Sequence, residues 1–127
     1  MAERAAWAHQ KENPSYELVT MNPGFIMGPN LNKCSFQSGD YVVDALKGTK
    51  TIPFCMPLVD VRDVAQAHLE GIKRPAAAGN RYMLSGEAIF MNEINGALAD
   101  KFPQYKASRK PVISKCMMSC LGTMCCN

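Results

Sequence analysis

The sequence lacks any long apolar run and any dense cluster of basic residues. A membrane-spanning helix needs about 18 or more consecutive apolar residues, and no stretch of this chain has that character. The 14 Lys and Arg residues are scattered, whereas nucleic-acid-binding domains concentrate them on one face or stripe. We therefore expect neither a membrane partner nor a nucleic-acid partner.

Histidine is scarce, with two residues, whereas there are six cysteines. Four of the cysteines crowd the C-terminus: Cys116, Cys120, Cys125 and Cys126. Cys116 and Cys120 have a helical spacing that would let them share a metal ion, but the chain has no Cys-x-x-Cys pair, and adjacent cysteines do not easily reach one tetrahedral ion. We therefore assign no metal ligand and expect an atypical apolar tail at 112–127, with a zinc-binding tail as the alternative.

The first seven residues, Met-Ala-Glu-Arg-Ala-Ala-Trp, contain an acid and no apolar stretch. This is not the pattern of a secretory signal peptide. In a reducing compartment the cysteines, including Cys34 and Cys55, stay as thiols. We therefore expect a cytoplasmic location.

Composition and patterning indicate one globular α/β domain. The chain has 127 residues, of which 47% are hydrophobic and 20% charged, within the range of ordinary soluble domains. Helical spacing of apolar residues, with Pro and Gly boundaries, predicts helices at 2–12, 37–47, 60–74 and 90–102. Extended segments are expected at 17–21, 51–59 (interrupted by Pro53 and Pro57) and 81–85. Alternating strands and helices favour a sheet with parallel strands.

The helix expected at 60–74 has the clearest start. Asp60 is placed as its N-cap, with Asp63 in the first turn, because carboxylates there accept hydrogen bonds from free backbone N–H groups. Arg62 is expected in a surface or interdomain ion pair. One apolar stripe is predicted along the helix, formed by Val61, Val64, Ala65, His68 and Ile72. On that stripe, His68 is expected to be a half-buried, hydrogen-bonded residue and not a metal ligand or a base.

Three segments, taken in order, carry a family resemblance. Ala2-Glu3 and Trp7 lie on the first helix, Asn22–Pro29 (Asn-Pro-Gly-Phe-Ile-Met-Gly-Pro) ends a strand, and Val59–Ala65 (Val-Asp-Val-Arg-Asp-Val-Ala) opens a helix. In this order and spacing the chain resembles the C-terminal half of an extended short-chain dehydrogenase/reductase, in the dihydroflavonol-reductase-like branch of the NAD-dependent epimerase/dehydratase proteins. The likeness runs to about residue 105 and implies a partial Rossmann-like fold.

The resemblance also implies a cofactor loop. Pro23, Gly24, Phe25 and Ile26 would contact the nicotinamide end of NADP or NAD. A flat ring with a carboxamide needs close backbone approach and fixed donors, which a Pro-Gly segment supplies. The implied function is that of a fragment of an NAD(P)-dependent oxidoreductase, acting on the CH–OH or carbonyl group of a small aldehyde, ketone or dihydroflavonol-like substrate.

The resemblance further implies how the chain is divided. Residues 1–29 would supply the end of the catalytic helix, a strand and the cofactor loop of the nucleotide domain. Residues 30–127 would form mostly the substrate-binding portion, with the helix at 60–74 and the strand at 81–85 returning to the sheet. The first helix would provide a homodimer face, as it does in many members of the family.

Two family motifs are missing, so we assign no catalytic residue. There is no Gly-x-x-Gly-x-x-Gly run, which holds a pyrophosphate at a helix N-terminus, and no Tyr-x-x-x-Lys, which supplies the proton donor. By the resemblance, that tyrosine and lysine would lie just before Met1. The chain alone is therefore expected to be inactive. The alternatives are a fragment of a sugar-nucleotide epimerase/dehydratase or hydroxysteroid dehydrogenase, and a non-catalytic interaction module.

Overall fold

The computed structural model describes residues 1–32, 34, 36–49 and 54–108. The elements follow in chain order: α1 Ala2–Glu12, β1 Thr20–Pro23, β2 Phe25–Met27, α2 Gln37–Leu46, β3 Cys55–Asp60, α3 Val61–Lys73, a 3-10 turn Pro75–Ala77, β4 Arg81–Leu84, β5 Ala88–Phe90 and α4 Met91–Lys101. This order confirms the expected α/β class with parallel strands. No helix in these ranges is long and apolar enough to cross a membrane.

The strands form two small sheets that share a continuous segment. In the first sheet β1 pairs with β4 in parallel. In the second, β3 lies between its two neighbours, parallel to β2 and antiparallel to β5. A single residue, Gly24, separates β1 from β2. β1 and β4 are paired with each other, but they diverge at their carboxyl ends. The strands that follow them in the chain, β2 and β5, are separated by β3.

We call this divergence the fork and define it by Gly24, Pro57, Leu58 and Gly86. The Gly24 N–H donates to the Leu84 carbonyl at 2.9 Å, and the Gly86 N–H donates to the Leu58 carbonyl at 2.6 Å. A Cβ atom on Gly24 would lie 2.3 Å from the Pro57 carbonyl oxygen. Only glycine lets the two backbones approach this closely.

Helices cover both faces of the first sheet. Successive side chains of a strand point to opposite faces, and Thr20 and Met21 show which helix lies on each. The Thr20 hydroxyl donates to the Glu3 carboxylate of α1 at 3.2 Å. The Met21 side chain meets α3, where its Cε would lie 2.5 Å from a Cβ on Gly71. The sheet is therefore sandwiched between α1 and α3.

The best-buried part of the described chain lies between α2 and α4, beside the second sheet. Ala45, Met91 and Asn95 are each 1% exposed. The Tyr41 hydroxyl lies 2.9 Å from the Met91 carbonyl oxygen and 3.0 Å from Asn95 Oδ1. This contact ties α2 to α4 and holds the second sheet from one side.

Several expected boundaries are confirmed. The first helix has the expected limits, and α4 differs from its prediction by one residue at each end. Asp60 caps α3 by accepting the Arg62 N–H at 2.8 Å. Gly48 follows the C-cap of α2 with φ +93°, in the left-handed region that glycine tolerates.

The expected strand at 17–21 is misplaced. It forms at Thr20–Pro23, so Asn22 and Pro23 extend the strand that they were expected to end. Residues 51–53 of the expected extended segment lie outside the described range.

Pro57 does not interrupt β3, contrary to the prediction. The antiparallel bonds to β5 are made by the Leu58 N–H to Glu87 and the Met91 N–H to Phe54. Pro57, opposite Ala88, therefore occupies a non-hydrogen-bonded position, where an N–H is not needed.

The predicted apolar stripe of α3 is wrong at Ala65, His68 and Ile72, which are all exposed, Ile72 to 86%. A helix advances about 100° per residue, so the covered face that starts at Val64 continues through Ala67 to Gly71. Gly71 therefore takes the position against the sheet, and Ile72 turns outward.

Candidate functional site

The predicted cofactor loop crosses the fork. Pro23 is exposed at the carboxyl end of β1, and Gly24, Phe25 and Ile26 are half-buried as the chain enters β2. In open α/β sheets, ligand crevices form outside the carboxyl ends of parallel strands, where neighbouring strands part. The fork has this geometry, so the four residues lie where such a crevice is expected.

Phe25 anchors the loop to the second sheet and to α2. Its ring packs edge-on against Tyr41, with centroids 6.0 Å apart and planes at 84°. Aromatic pairs favour this edge-to-face arrangement. Because the Tyr41 hydroxyl contacts α4, the position of Phe25 is coupled to both helices beside the second sheet.

Asn22 precedes the loop, and although it opens the Asn22–Pro29 segment, sequence reasoning assigned it no contact with a cofactor. Its side-chain Nδ2 is buried and has no hydrogen-bond partner among the described residues. Asn22 shares the strand face of Thr20, and hence of α1, because the two residues are separated by one position. A buried donor without a partner is costly, so this amide marks the α1 side of the loop as a place suited to a polar group. This part of the loop offers an exposed proline, a glycine without a side chain and a free amide. Such a surface is compatible with a flat, carboxamide-bearing ring.

A cavity of about 420 Å³ adjoins the loop at Ile26. It lies at the carboxyl ends of β2 and β3, against the start of α3. The lining residues are Ile26, Met27, Gly28, Pro29, Asn30, Leu31, Asn32, Phe36, Ser38, Val61, Arg62 and Ala65. Ile26 thus belongs both to the predicted cofactor loop and to the cavity.

An ion pair lies at the edge of this cavity. Arg62 Nε donates to Asp60 Oδ1 at 2.8 Å, and Arg62 Nη2 donates to Asp60 Oδ2 at 2.6 Å. The side-chain and backbone hydrogen bonds from Arg62 hold the pKa of Asp60 at about 2. The same bonds raise the pKa of Arg62. The expected surface ion pair of Arg62 is therefore confirmed.

The loop after β2 is organised by asparagine side chains. The Asn32 N–H donates to Asn30 Oδ1 at 3.1 Å, the Cys34 N–H donates to Asn32 Oδ1 at 3.0 Å, and Asn30 Nδ2 donates to the Cys34 carbonyl at 2.9 Å. Such local bonds replace a regular ladder in turns. Their consequence is that Leu31, between the two asparagines, is 99% exposed.

Glu3 holds α1 against the first sheet. Its Oε1 accepts hydrogen bonds from Thr20, from Arg81 Nε at 2.7 Å and from Trp7 Nε1 at 3.4 Å. Partial desolvation raises the pKa of this carboxyl, but the hydrogen bonds from Arg81, Trp7 and Thr20 outweigh it, and the pKa lies below its ordinary value. Glu3 and Trp7, which the resemblance singled out, therefore act together in docking α1.

His68 is separate from the loop. Its Nδ1–H donates to the Val64 carbonyl at 2.8 Å, and it lines another cavity, of about 450 Å³, between α3 and residues 17–21. The expected hydrogen bond is confirmed, but the residue is exposed and not half-buried as predicted. The cysteines of the tail, on which the zinc alternative depended, lie outside the described residues.

No protein-family model matches the chain. Among curated proteins, it is 38% identical over 118 residues to cinnamoyl-CoA reductase 1 of Arabidopsis thaliana, covering 91% of this chain and 32% of that protein. It is 30% identical to a putative NADPH-dependent methylglyoxal reductase of Candida albicans, covering 81% of this chain and 33% of that protein. The chain therefore spans about a third of the length of the relatives it matches.

Solved structures also superpose on most of the chain. The yeast methylglyoxal/isovaleraldehyde reductase Gre2, solved in complex with NADPH, superposes with a TM-score of 0.74 at 28% identity, over 89% of this chain and 36% of that one. Vestitone reductase from alfalfa superposes with a TM-score of 0.68 over 95% of this chain and 43% of that one, at 24% identity. At 13% identity, the UDP-glucose 4-epimerase of Thermotoga maritima shares the fold alone, with a TM-score of 0.63 over 87% of this chain and 37% of that one.

Proposed function

Because the chain belongs to the extended short-chain dehydrogenase/reductase family, we propose that it supplies the nicotinamide-side loop and part of the substrate pocket of an NAD(P)H-dependent oxidoreductase. The reaction interconverts the carbonyl and CH–OH groups of a small aldehyde, ketone or related compound. The reductases among the relatives support this reaction type. The observation that carries the proposal is the position of residues 23–26 at the fork, next to a cavity of about 420 Å³.

We assign each residue of the loop a role in holding the nicotinamide ring. The nicotinamide, when bound, supplies or accepts the hydride. Pro23 and Gly24 present a flat, side-chain-poor surface on which a ring can lie. Phe25 is held by Tyr41 and fixes the loop, and Ile26 separates the ring position from the cavity. No described residue is assigned as the proton donor.

The test is a titration of the isotope-labelled chain with NADPH, followed by amide chemical shifts. We expect shifts confined to residues near 22–26, with weak affinity because the chain has no glycine fingerprint for the pyrophosphate. Nicotinamide mononucleotide, which lacks the adenylate half, should shift the same amides. Shifts absent from this loop, or distributed over the basic side chains of the surface, would refute the proposed cofactor position.

A chimaera tests the function in a whole enzyme. Residues 2–105 replace the superposed segment of yeast Gre2, and activity is followed by the loss of NADPH absorbance with isovaleraldehyde. We expect measurable turnover, because the two segments share their fold. A folded chimaera that binds NADPH but fails to reduce any of a panel of carbonyl compounds would contradict the reductase assignment.

For the assembled protein, we further propose a homodimer through the outer face of α1. Glu3, Trp7 and Gln10 are half-buried on one side of the helix, whereas Ala5 and Ala6 are exposed. Small side chains permit close helix–helix packing. In the chimaera, Ala6→Arg should shift sedimentation from dimer to monomer, and a dimer that persists would argue against this face.

A further inference from the structure

Charge is divided unevenly along the chain. All 11 acidic residues lie in residues 1–100, together with nine of the 14 Lys and Arg residues. That part therefore has a net charge of −2, whereas residues 101–127 contain five basic residues and no acidic one, for a net charge of +5. Such asymmetry is typical of proteins that bind a membrane surface or a nucleic acid.

Thiols favour the membrane over the nucleic acid. The basic segment contains Cys116, Cys120, Cys125 and Cys126, with Met and Leu residues between them. Cysteines near basic residues are typical sites of reversible fatty acylation at a membrane. Residues 109–127 lie outside the described part of the chain, and this pattern is one of sequence alone.

The described chain presents a matching surface where the basic segment begins. An open groove of about 700 Å³ is lined by Val43, Leu46, Lys47, Gln104, Tyr105 and Lys106. We call these six residues the α2 patch. The Lys106 N–H donates to the Leu46 carbonyl at 3.0 Å, so the start of the basic segment is fixed against the end of α2.

The α2 patch combines exposed apolar groups with cations. Val43 is 47% exposed and Tyr105 is 54% exposed. Lys47 and Lys106 lie beside them, and no Asp or Glu lines the groove within the described ranges. Asp44 reaches Lys47 at 3.7 Å, but their side chains are 58% and 70% exposed, and exposed pairs contribute little. At an anionic bilayer, a tyrosine lies at the level of the headgroups and lysines meet their charge.

The α2 patch is separate from the cofactor loop. It shares no residue with Pro23–Ile26 or with the cavity of about 420 Å³. That cavity touches α2 at its start, through Phe36 and Ser38, whereas the patch lies at its end. A helix of 10 residues is about 15 Å long, so a membrane at the patch leaves the loop accessible.

We propose that the α2 patch rests on an anionic membrane surface and that cysteines of residues 116–126 are S-acylated. One acyl chain holds a protein to a bilayer only weakly, and stable anchoring takes a second signal such as a basic patch. The chain offers both signals. No membrane partner was expected from the sequence because it lacks a spanning helix, but a lipid attached to a thiol needs none.

The acylation step is a transfer between thioesters. The cysteine thiolate attacks the carbonyl carbon of a long-chain acyl-CoA. The bond from that carbon to the CoA sulfur breaks, a bond to the cysteine sulfur forms, and CoA leaves as a thiol with the proton that the cysteine gave up. No group is oxidised or reduced.

Vesicle binding of the unacylated full chain tests the patch. Co-sedimentation should show binding to phosphatidylcholine vesicles that contain phosphatidylserine, weaker binding at high salt, and none to phosphatidylcholine alone. Lys47→Gln combined with Lys106→Gln should weaken binding at least about fivefold. The control combines Lys11→Gln with Lys73→Gln, at exposed positions of α1 and α3. It removes the same charge and should change binding by less than about twofold.

Metabolic labelling tests the acylation. The full chain is expressed in yeast supplied with an alkynyl palmitate analogue, and the label is read before and after hydroxylamine, which cleaves thioesters. We expect a hydroxylamine-sensitive label and recovery with the membranes. Serine at all four cysteines of the segment should abolish both. Cys34→Ser combined with Cys55→Ser, at the free cysteines of the described ranges, should leave both unchanged.

Each contrary result overturns the inference. These results are an absent or hydroxylamine-resistant label, a label kept by the four-serine variant, and equal losses of vesicle binding in the two lysine pairs. A DNA duplex that displaces the vesicles at equal phosphate concentration would indicate a nucleic-acid partner instead. Zinc retained on unlabelled thiols would favour the zinc-binding tail. None of these measurements uses NADPH or a carbonyl substrate, so the outcome is independent of the proposed function.

Discussion

At the scale of single residues, glycines decide how closely the two sheets approach. Gly24 and Gly28 both lack space for a Cβ: one on Gly28 would lie 2.7 Å from Val61 Cγ1, at a backbone φ of +139°. The sequence alone indicated turns at both positions, but not which part of the chain would press against each glycine. That information depends on Pro57 of β3 and Val61 of α3, which lie far along the chain from the two glycines.

Gly24→Ala should destabilise the chain by about 2 kcal/mol or more, because overpacking against a backbone carbonyl has no flexible side chain to relieve it. Gly79→Ala is the matched control. Gly79 has φ +76° with nothing within 4 Å of its Cβ position, so the cost there is the left-handed backbone alone, about 1 kcal/mol. Urea unfolding followed by circular dichroism measures both. Equal losses would show that the fork is less tightly packed than described.

The Asp60–Arg62 pair predicts an acid-sensitive start of α3. The pKa of Asp60 is lowered from 3.8 to about 2, so its contribution to stability is complete above pH 4. It is lost as the pH falls towards 2, when the folded-state carboxylate takes up its proton. Asp60→Asn keeps an acceptor for the helix N-terminus but removes the titration. Thermal melts between pH 5 and pH 2 should show a shallower loss for this variant, and identical slopes would refute the assignment.

At the scale of elements, α1 is the least firmly held helix. None of its residues is fully buried, so its docking depends on the hydrogen bonds that Glu3 accepts from the sheet. Elements with few buried contacts open locally before the rest of the fold. The side chain of Glu3 therefore controls whether α1 stays in place.

Glu3→Gln should speed hydrogen exchange in α1 while leaving α3 and α4 unchanged. The amide loses the charge that Arg81 recognises. Glu70→Gln is the control, because Glu70 pairs with Arg74 within one surface turn and exposed pairs of this type contribute little. Exchange followed by mass spectrometry reads each helix separately. Unchanged protection of α1 would mean that Trp7 and Gln10 suffice to dock it.

The helices were predictable from the sequence, and the short strands were not. Proline stops marked the ends of α1 and α4, and the Asp60 cap marked the start of α3, because these signals act within one turn. The strands β2 and β5 have three residues each, too few to show an alternating pattern. They are defined by pairing with β3, which is a tertiary contact. The loop Pro23–Ile26 was therefore identifiable as a motif. The sequence did not show that this loop crosses between the two sheets, that the Asn22 amide is buried without a partner, or that a cavity adjoins the loop.

At the scale of the whole molecule, the described chain leaves much apolar surface uncovered. Leu69 and Ile72 of α3 are exposed, beside the cavity of about 450 Å³ that Val19 also lines. Thr20 and Gly24 direct their N–H groups to β4, so Val19 and Met21 direct theirs to the other edge of β1, where no described strand pairs. An open edge above an apolar face is a site of association.

Ile72→Lys should reduce self-association of the isolated chain without loss of stability, because the side chain is 86% exposed and a charge there opposes apolar contact. Analytical ultracentrifugation over a concentration series measures the effect. Leu31→Lys is the control, since Leu31 is 99% exposed and does not line the cavity of about 450 Å³ beside Ile72. A wild-type chain that is monomeric at all concentrations would contradict this prediction.

Gly24 is the single residue between β1 and β2. The chain therefore passes from the first sheet to the second over a short distance with a fixed upper limit. Three virtual bonds join Pro23 to Ile26, so their Cα atoms are at most about 11 Å apart. Insertions and substitutions after Met27 can reshape the cavity, but they cannot lengthen this span. Changes in the later loop can therefore reshape the cavity wall while the distance between the two ends of the Pro23–Ile26 segment stays the same.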